Sequence, residues 1–253
     1  MPRTVPDESI VVCGRNPVVE ALRARPREVD KVFVQRGVSG AVVDEILHLA
    51  AAASVPVQRV PAVRLNALAG KVRHQGVAAV GSAIAYSTLE DLMARIQAAG
   101  SPPARILYLD RVTDPRNLGA VLRSAAAFGV SGLIVPASES APLNTAAVKA
   151  SAGAAVSIPV VRVGNPADTL DGMREMGYWI IGTDSSALKS FSETDWSRPV
   201  VIALGSEDRG LAADILGICD EVVSIPMAEG FDSLNVSVAA AILMCAAFRA
   251  QAV

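Results

Sequence analysis

The sequence is poor in the features that usually mark membrane spans, disulfide frameworks and metal sites. Aromatic residues make up 4% of its 253 residues, and there are three cysteines and two histidines. No apolar run reaches the ~18 residues that cross a bilayer, and the first residues lack the pattern of a signal peptide. The cysteines show neither paired nor metal-ligand spacing. We therefore predict a cytoplasmic protein with no metal site and no membrane partner.

Two common nucleotide-binding patterns are also missing. The chain has neither the GxGxxG fingerprint of dinucleotide-binding folds nor the GxxxxGK[ST] loop that surrounds nucleotide phosphates. A nicotinamide enzyme is therefore poorly supported. What the sequence does contain is 51% apolar residues, among which Ala and Val are abundant. This composition is typical of the closely packed helix-on-sheet layers of an α/β protein.

Charge is unevenly distributed along the chain, although the formal net charge is only −2. Residues 1–86 carry 11 Lys and Arg against 7 Asp and Glu, a net charge of +4. Residues 104–253 carry 11 against 16, a net charge of −5. A polyanion should therefore meet the first part preferentially. Charge alone is equally compatible with an ordinary solvated face that has no such partner.

Residues 1–86 alternate short β-branched runs with helical patterns, which predicts a small α/β domain. Asn16 followed by Pro17 predicts a helix with Asn16 as its N-cap and proline in its first turn. Thr88 is likewise expected to cap a helix that ends at Gly100. We place a linker over residues 87–104, where "GSPPAR" is the best candidate segment.

Residues 105–253 show a second rhythm, in which strands such as "RILYLD", "GLIVP" and "PVVIALG" alternate with helical segments. These strands are apolar without polar alternation, which predicts a mainly parallel sheet covered on both faces. Ligands of such sheets bind beyond the carboxyl ends of the strands. Polar residues at strand ends are therefore the candidates for a site.

Three polar clusters follow strands in this second part. The first contains Asn117 and Arg123 in a helix that Asp114 could cap. Arg123 could bind a phosphate. The pattern is equally compatible with an Arg123 that only forms an ion pair with a carboxylate. The second is the loop "GSEDRG", which could surround a cofactor with backbone groups, although glycine-flanked turns are common. The third opens the last helix, where Ser233 is expected as N-cap. Buried polar groups there cost about 1–3 kcal/mol each unless they find partners.

Taken in order, these stretches resemble the three signature motifs of the SpoU (TrmH) family of RNA 2′-O-ribose methyltransferases, in the SPOUT superfamily. "NLGAVLRSA" is similar to the first motif, "ALGSEDRGL" to the second and "IPMAEGFDSLNVSVAAAI" to the third. The segments "CGRNPVVEAL" and "HQGVAAV" resemble the ribosomal-protein-like substrate-binding domain of the rRNA-modifying branch. The resemblance covers almost the whole chain.

The resemblance implies an α/β catalytic domain with a deep trefoil knot, S-adenosylmethionine as cofactor, and a homodimer with its active site at the subunit interface. It implies two sets of site residues. The active-site polar set is Asn117, Arg123, Glu207, Ser233 and Asn235. The cofactor set is Gly205, Ser206, Ile225, Pro226, Met227, Ser233 and Leu234.

Arg123 is implied to hold the target phosphate and activate the ribose hydroxyl. Whether it also accepts the proton is left open, because arginine stays protonated in nearly every protein environment. Two residues depart from the family pattern, Asp208 in the second motif and Glu229 in the third, and both add negative charge near the implied site.

The implied reaction is 2′-O-methylation of RNA, with a guanosine of large-subunit ribosomal RNA as the favoured substrate. Transfer RNA is the alternative substrate. An inactive RNA-binding or ribosome-assembly factor and a small-molecule α/β enzyme are the alternative functions.

Overall fold

The computed structural model describes residues 11–100 and 103–250. The chain divides into two compact units. Unit 1 extends to Tyr86 and also contains Pro142–Thr145, whereas unit 2 comprises Ser87–Ala141 and the chain from Ala146 onward. Within the described ranges, no helix has the length and apolar character of a membrane span.

Unit 1 is a four-stranded sheet with helices on both faces. The strand order is β1-β4-β2-β3, in which β2 and β3 are parallel and the other neighbours antiparallel. Its elements, in chain order, are β1 (Val11–Cys13), α1 (Arg15–Ala24), β2 (Val29–Gln35), α2 (Ala41–Ala52), β3 (Val57–Val60), α3 (Ala62–Ala69) and β4 (Val77–Gly81).

The alternation of side chains along β2 separates two small cores. Val32 and Val34 pack with α1 and α2 on one face of the sheet. Phe33, between them, packs with Leu65 of α3 on the other face. Successive residues of a strand point to opposite faces, so the two valines are buried against one helix layer and the phenylalanine against the other.

The first helix starts two residues earlier than the sequence predicts. Asn16 is not the N-cap: α1 begins at Arg15, and Gly14 occupies the cap position with φ 103° and no side-chain cap. The N–H of Gly14 donates to the carbonyl of Val77 at 3.0 Å. This backbone pairing ties the turn to β4, and only glycine adopts such a positive φ readily. The tertiary contact therefore overrides the local capping preference.

The short segment Pro142–Thr145 completes unit 1 from a distant part of the chain. Leu143 is buried, with 1% of its surface exposed. Its N–H donates to the hydroxyl of Tyr86 at 3.1 Å, and its carbonyl accepts from the hydroxyl of Ser82 at 3.0 Å. The Tyr86 hydroxyl in turn donates to Asp30 at 2.9 Å. Unit 1 thus depends on residues that lie far outside the first 86.

Unit 2 is built on a six-stranded sheet in the order β10-β8-β9-β5-β6-β7, and every neighbouring pair is parallel. The predicted parallel α/β fold is confirmed. Its elements are α4 (Leu89–Ala99), β5 (Arg105–Leu109), α5 (Pro115–Ala127), β6 (Gly132–Pro136), α6 (Thr145–Ala150), β7 (Val160–Val163), α7 (Pro166–Glu175), β8 (Trp179–Thr183), β9 (Val200–Leu204), α8 (Ala213–Ile218), β10 (Glu221–Val223) and α9 (Val236–Arg249).

Both faces of this sheet are covered. Ile106 and Tyr108 of β5 pack into a core that also receives α4, α7 and α8. The alternate residues Leu107 and Leu109 are buried as well. This explains why the strands read as continuous apolar runs.

Part of the stretch expected as linker forms helix α4. Thr88 and Asp91 form a reciprocal capping box, and Gly100 ends the helix at φ 69°, so both predicted ends are confirmed. Leu92 is fully buried in the core of unit 2, where it lies over Gly132 of β6; a Cβ on that glycine would come within 2.5 Å of Leu92 Cδ1. The remaining linker segment, residues 100–105, includes residues 101 and 102, which lie outside the described residues.

We expect Leu92→Ala to lower the free energy of unfolding of unit 2 by about 2–5 kcal/mol, because the side chain is fully buried. Both tryptophans, Trp179 and Trp196, belong to unit 2, so their fluorescence during urea unfolding measures this change. Gln97→Ala, at an exposed position of the same helix, is the control and should change stability by less than about 0.5 kcal/mol. Equal stability of the two variants would contradict the packing of α4.

Candidate active site

Polar loops from four neighbouring strands meet at one edge of the sheet of unit 2. Asp110, Asp184, Gly205 and Ser224 directly follow β5, β8, β9 and β10. The chain leaves β5 toward β6 and β7 but later fills the other side with β8, β9 and β10. In open parallel sheets, the crevice for a ligand lies where the strand order reverses in this way, beyond the carboxyl ends. The change of direction falls between β5 and β9.

A cleft lies at this edge. The ends of the strands supply mainly apolar groups, and the loops supply polar ones. Its lining residues are Thr183, Asp184, Ser185, Leu204, Gly205, Ser206, Glu207, Val223, Ile225, Met227, Ser233, Leu234, Val236 and Ala239. Six of the seven residues of the predicted cofactor set therefore line one cleft, and the exposed Pro226 is the one that does not.

The hydroxyl of Ser206 lacks a partner inside the protein. Its Oγ atom is buried, and no hydrogen bond reaches it within the part of the chain that the structure describes. A buried hydroxyl without a partner costs about 1–3 kcal/mol, and such groups are normally satisfied by protein, water or ligand. A polar ligand in the cleft would satisfy this atom.

The loop that carries Ser206 is folded so tightly that its first residue must be glycine. A Cβ on Gly205 would lie 1.9 Å from the carbonyl carbon of Gly210 and 2.3 Å from the nitrogen of Leu211. The N–H of Gly210 donates to the carbonyl of Ser206 at 2.9 Å and closes the loop. Gly205 is therefore needed to form the wall of the cleft.

Glu207 connects three elements through one carboxylate oxygen. Its Oε1 accepts from the amide of Asn235 at 2.7 Å, from the amide of Asn117 at 3.4 Å and from the N–H of Val236 at 3.3 Å. The two amides also bond to each other, since Asn235 donates to Asn117 at 3.1 Å. Val236 is the first residue of α9, and a helix N-terminus stabilises a negative charge. We call these three side chains, Asn117, Glu207 and Asn235, the polar network.

The last helix is capped by Asn235 rather than by Ser233. The predicted cap is wrong because α9 begins at Val236, and the Oδ1 of Asn235 accepts from the N–H of Ser237 at 3.0 Å and from its hydroxyl at 2.6 Å. This leaves the amide nitrogen of Asn235 for Glu207. Ser233 instead is exposed at the cleft. The same side chain thus caps the helix and belongs to the polar network.

Arg123 lies apart from the polar network. It is exposed, it does not line the cleft, and no hydrogen bond or ion pair joins it to another residue of the described ranges. The alternative interpretation of the first cluster predicts Asp114 as the N-cap of α5, and this is confirmed. The side chain of Asp114 accepts from the N–H of Arg116 at 2.8 Å. Six residues separate Arg123 from Asn117, which corresponds to about 120° around a helix and about 9 Å along it. One chain alone therefore does not bring Arg123 to Asn117.

Sequence reasoning missed a buried carboxylate, Asp110, that holds the loop "GSEDRG". Asp110 is 5% exposed and accepts from the N–H of Ala212 at 2.8 Å, just after the loop. It also pairs with Arg111, whose guanidinium donates to the carbonyl of Gly210 at 3.1 Å. Together these bonds fasten the far end of the loop to the end of β5. An acidic residue directly after a buried strand was the available signal.

The hydroxyl of Tyr108 supports the same carboxylate. It donates to Asp110 at 3.2 Å. Burial, together with the negative charge of Asp110, raises the pKa of Tyr108 well above its ordinary value, so the hydroxyl remains a donor. Asp110 therefore receives hydrogen bonds from a side chain beneath it and from the loop beyond it.

The loop after β8 was also missed. Asp184 and Ser185 line the cleft beside Thr183. Hydrogen bonds from the hydroxyl and the N–H of Ser186, at 2.6 and 2.8 Å, lower the pKa of Asp184. The cleft therefore contains a charged carboxylate that the three motifs do not include. The rule that ligands bind at the ends of parallel strands could have identified it.

The two departures from the family pattern lie on the surface. Asp208 and Glu229 are both exposed, and Asp208 lies 4.0 Å from Arg209. Neither residue lines the cleft. Their charges therefore face solvent next to the site rather than the interior of the cleft.

Two family sequence patterns match the chain and identify its family. The pattern of the SpoU rRNA Methylase family matches residues 104–245, and that of the RNA 2′-O ribose methyltransferase substrate binding family matches residues 11–87. The chain belongs to the SpoU (TrmH) family. It is an RNA methyltransferase of that family.

Similar proteins agree with this assignment. A Mycobacterium avium protein named as an uncharacterized tRNA/rRNA methyltransferase is 40% identical over 239 residues, which are 94% of this chain and 76% of that protein. A Staphylococcus saprophyticus protein assigned to the TrmH family of tRNA/rRNA methyltransferases is 38% identical over 242 residues, 96% of each chain.

Two solved structures share the fold and contain the cofactor. The SpoU methyltransferase AviRb of Streptomyces viridochromogenes, in complex with AdoMet, has a TM-score of 0.60 at 25% identity and covers 96% of this chain and 91% of its own. The AdoMet-bound rRNA methyltransferase of Sinorhizobium meliloti has a TM-score of 0.58 at 25% identity, with coverages of 95% and 87%. The cofactor of this family is S-adenosylmethionine, and the partly apolar cleft with its unpaired Ser206 hydroxyl fits such a ligand.

We expect Asp110→Asn to weaken S-adenosylmethionine binding although Asp110 does not line the cleft. The amide keeps the shape of the side chain but loses the charge that holds Arg111 and Ala212, and bonds to charged groups contribute about 1.5–3 kcal/mol each. Calorimetric titration should show a loss of affinity of about tenfold or more, since 1.4 kcal/mol corresponds to tenfold.

The matched control is Asp171→Asn, a half-exposed carboxylate that pairs with Arg174 on α7. It should leave cofactor affinity unchanged. If Asp110→Asn also binds the cofactor with unchanged affinity, the loop does not depend on this carboxylate.

Proposed function

We propose that this protein transfers a methyl group from S-adenosylmethionine to the 2′-oxygen of a ribose in RNA, with a guanosine of large-subunit ribosomal RNA as substrate. The observation that carries the proposal is the polar network of Asn117, Glu207 and Asn235 at the mouth of the cleft. It draws one residue from each of the three motifs into a single hydrogen-bonded group.

Different residues of the cleft would bind different parts of the cofactor. Backbone groups of Gly205, Ile225 and Leu234 would hold the adenine and ribose, as the family resemblance implies. Ser206 would use its unpaired hydroxyl, and Met227, Ser233 and the neighbouring Pro226 would complete the surroundings. When bound, the cofactor supplies an electrophilic methyl group that already carries the driving force for transfer.

In the transfer, the bond from the methyl carbon to sulfur would break as its bond to the ribose oxygen forms, with S-adenosylhomocysteine as the leaving group and the hydroxyl proton passing to solvent. The protein must therefore supply alignment and polarise the hydroxyl. A ribose hydroxyl is a weak nucleophile until a positioned group polarises it. The amides of Asn117 and Asn235, with Ser233, would orient the ribose. Glu207 fixes both amides through one oxygen and so keeps their directions constant. Correct positioning alone can contribute several kcal/mol to the rate.

Arg123 would complete the site from a second copy of the chain. Its guanidinium is exposed and unpaired within the described residues, yet its place on α5 separates it from its own Asn117. In a homodimer, Arg123 of one copy would hold the target phosphate next to the polar network of the other. Because arginine stays protonated, it would act on the hydroxyl through its charge.

The surface of α9 supports a homodimer. Val238 and Phe248 are 46% and 43% exposed on this helix, and Phe231 in the preceding loop is 68% exposed. Large apolar side chains that are exposed to solvent are candidates for burial in a protein–protein contact. A second copy that covers α9 would bury them. The deep trefoil knot that the family resemblance implies, in which the C-terminal segment threads a loop, is part of the same proposal.

Ribosomal RNA is favoured over transfer RNA by the separate substrate-binding unit. A basic unit can hold RNA by its phosphates while unit 2 acts on one ribose. The alternative of an inactive RNA-binding factor is disfavoured by the intact polar network, since a protein without catalysis would not need it.

The first test compares 2′-O-methyl positions across all cellular RNA in cells with and without the gene. We expect one position in large-subunit ribosomal RNA to lose its methyl group, and the purified protein to restore it with S-adenosylmethionine. Loss of a position in transfer RNA instead would identify the alternative substrate. If no position changes and the purified protein transfers no methyl group to unmodified RNA, the enzyme proposal is wrong.

The second test is Arg123→Ala. We expect methyl transfer to fall by at least about a hundredfold, the lower range for removal of a group that stabilises developing charge, while the Kd for S-adenosylmethionine stays within about twofold. Arg174→Ala, at an exposed position of α7, is the matched control and should keep full activity. Loss of cofactor binding in Arg123→Ala would contradict the assigned role.

A further inference from the structure

Unit 1 contains a groove of its own, lined by Arg15, Asn66, Val72 and residues 73–76. We call it the Arg15–Arg73 groove. We propose that it binds phosphates of the RNA backbone through side-chain groups that are hydrogen-bond donors. The inference rests on the proposed function and deepens it, because it names the residues and the part of the RNA through which unit 1 would hold its substrate.

The charge around the groove has one sign. From residue 53 to residue 86 the chain has four basic residues and no Asp or Glu. Lys71 and Arg73 are exposed on the segment between α3 and β4, and Arg15 is partly exposed at the start of α1. The acidic residues of unit 1 that the structure describes all lie between Glu20 and Glu45.

Among the residues that the structure describes, no acidic side chain lines the groove. Helix α3, which leads into the groove segment, packs on the face of the sheet opposite α2, the helix that carries Asp44 and Glu45. Arg15, at the start of α1, reaches the groove through its hydrogen bonds to Gln75. The positive charge that lines the groove therefore raises the local concentration of a polyanion.

Arg15 is held in place by the backbone of the groove segment. Its Nε donates to the carbonyl of Gln75 at 3.2 Å, and its N–H donates to the side-chain oxygen of Gln75 at 3.4 Å. Gln75 itself has a positive φ of 51°, which is uncommon for a residue other than glycine. The contact with Arg15 thus fixes both the loop and one of the guanidinium groups, and it leaves the amide nitrogen of Gln75 as a donor.

His74 sets the direction of the hydrogen bonds in the groove. Its Nδ1 accepts from the N–H of Gly76 at 3.0 Å, so this nitrogen carries no proton. In a neutral imidazole the other nitrogen then carries the proton. Nε2 therefore donates to the side-chain oxygen of Asn66, 2.8 Å away. The oxygen of Asn66 is thereby used, and its amide nitrogen remains.

The side-chain groups left for a ligand are all donors: the guanidinium groups of Arg15 and Arg73 and the amide nitrogens of Asn66 and Gln75. Phosphate oxygens only accept hydrogen bonds and form strong, charge-assisted ones with arginine. Base edges present donors as well as acceptors, and the donors would find no partner here. The groove therefore suits the backbone of RNA and not its sequence.

The test measures binding of the full-length protein to a labelled 30-nucleotide RNA of mixed sequence at several KCl concentrations. The variant is Arg73→Ala, because Arg73 is exposed and makes no hydrogen bond within the described residues. We expect weaker binding by roughly three- to tenfold at low salt, and a slope of log affinity against log salt that is smaller by about 0.7–0.9, the value for one lost phosphate contact.

Arg25→Ala is the matched control. Arg25 belongs to the same unit and is 74% exposed, but it pairs with Glu28 on the acidic side of the domain. Its removal should change neither affinity nor slope. A second mixed sequence of equal length should show the same loss with Arg73→Ala. If Arg73→Ala matches the control, or if its loss is confined to one of the two sequences, the inference is wrong.

One further measurement separates this inference from the proposed function. With unmodified ribosomal RNA as substrate, Arg73→Ala should raise the KM for RNA and leave kcat and the Kd for S-adenosylmethionine unchanged. An unchanged KM in both Arg73→Ala and the double variant Arg15→Ala/Arg73→Ala would overturn the inference alone. A wild-type protein that binds RNA through Arg73 but methylates no RNA would overturn the proposed function alone.

Discussion

The site of unit 2 depends on the three hydrogen bonds that the carboxylate of Glu207 accepts. They join the loop after β9, the start of α5 and the first turn of α9, and these bonds span 28 to 90 residues of the sequence. Removing the carboxylate would leave the Asn235 amide and the first N–H of α9 without that acceptor. The same constraint explains why Asn235 rather than Ser233 caps the helix: its oxygen faces Ser237 and its nitrogen faces Glu207.

One glycine and one buried carboxylate shape the loop that lines the cleft next to Glu207. Gly205 allows two backbone segments to approach more closely than any side chain would permit. Asp110, at the end of β5, holds the opposite end of the same loop through Ala212 and Arg111. The loop is therefore fastened at both ends, and the hydroxyl of Ser206 is buried between them without a protein partner. A cleft whose loop is held at both ends, with the Ser206 hydroxyl left for a ligand, fits the description of a preformed binding site.

The parallel sheet could be predicted because uninterrupted apolar strands indicate two covered faces, and most residues that line the cleft lie in or directly after the strands where the strand-end rule expects a ligand. Local capping was less predictable. Asn16 and Ser233 fit the cap preference, but a backbone bond to Val77 and the link to Glu207 decide the two helix starts. Asp110 and Asp184 were missed because one acidic residue after a strand looks like an ordinary turn. Arg123 belongs to a motif in sequence, whereas helix geometry separates it from Asn117.

The segment Pro142–Thr145 makes unit 1 discontinuous in sequence. Because unit 1 takes its Leu143 from the middle of the sequence of unit 2, three passages of the chain connect the units instead of one. A fragment that ends at Tyr86 would lose the Leu143 N–H that donates to the Tyr86 hydroxyl and would have a cavity where Leu143 was. The residues that unit 1 needs for its full core are therefore not a continuous stretch of the sequence.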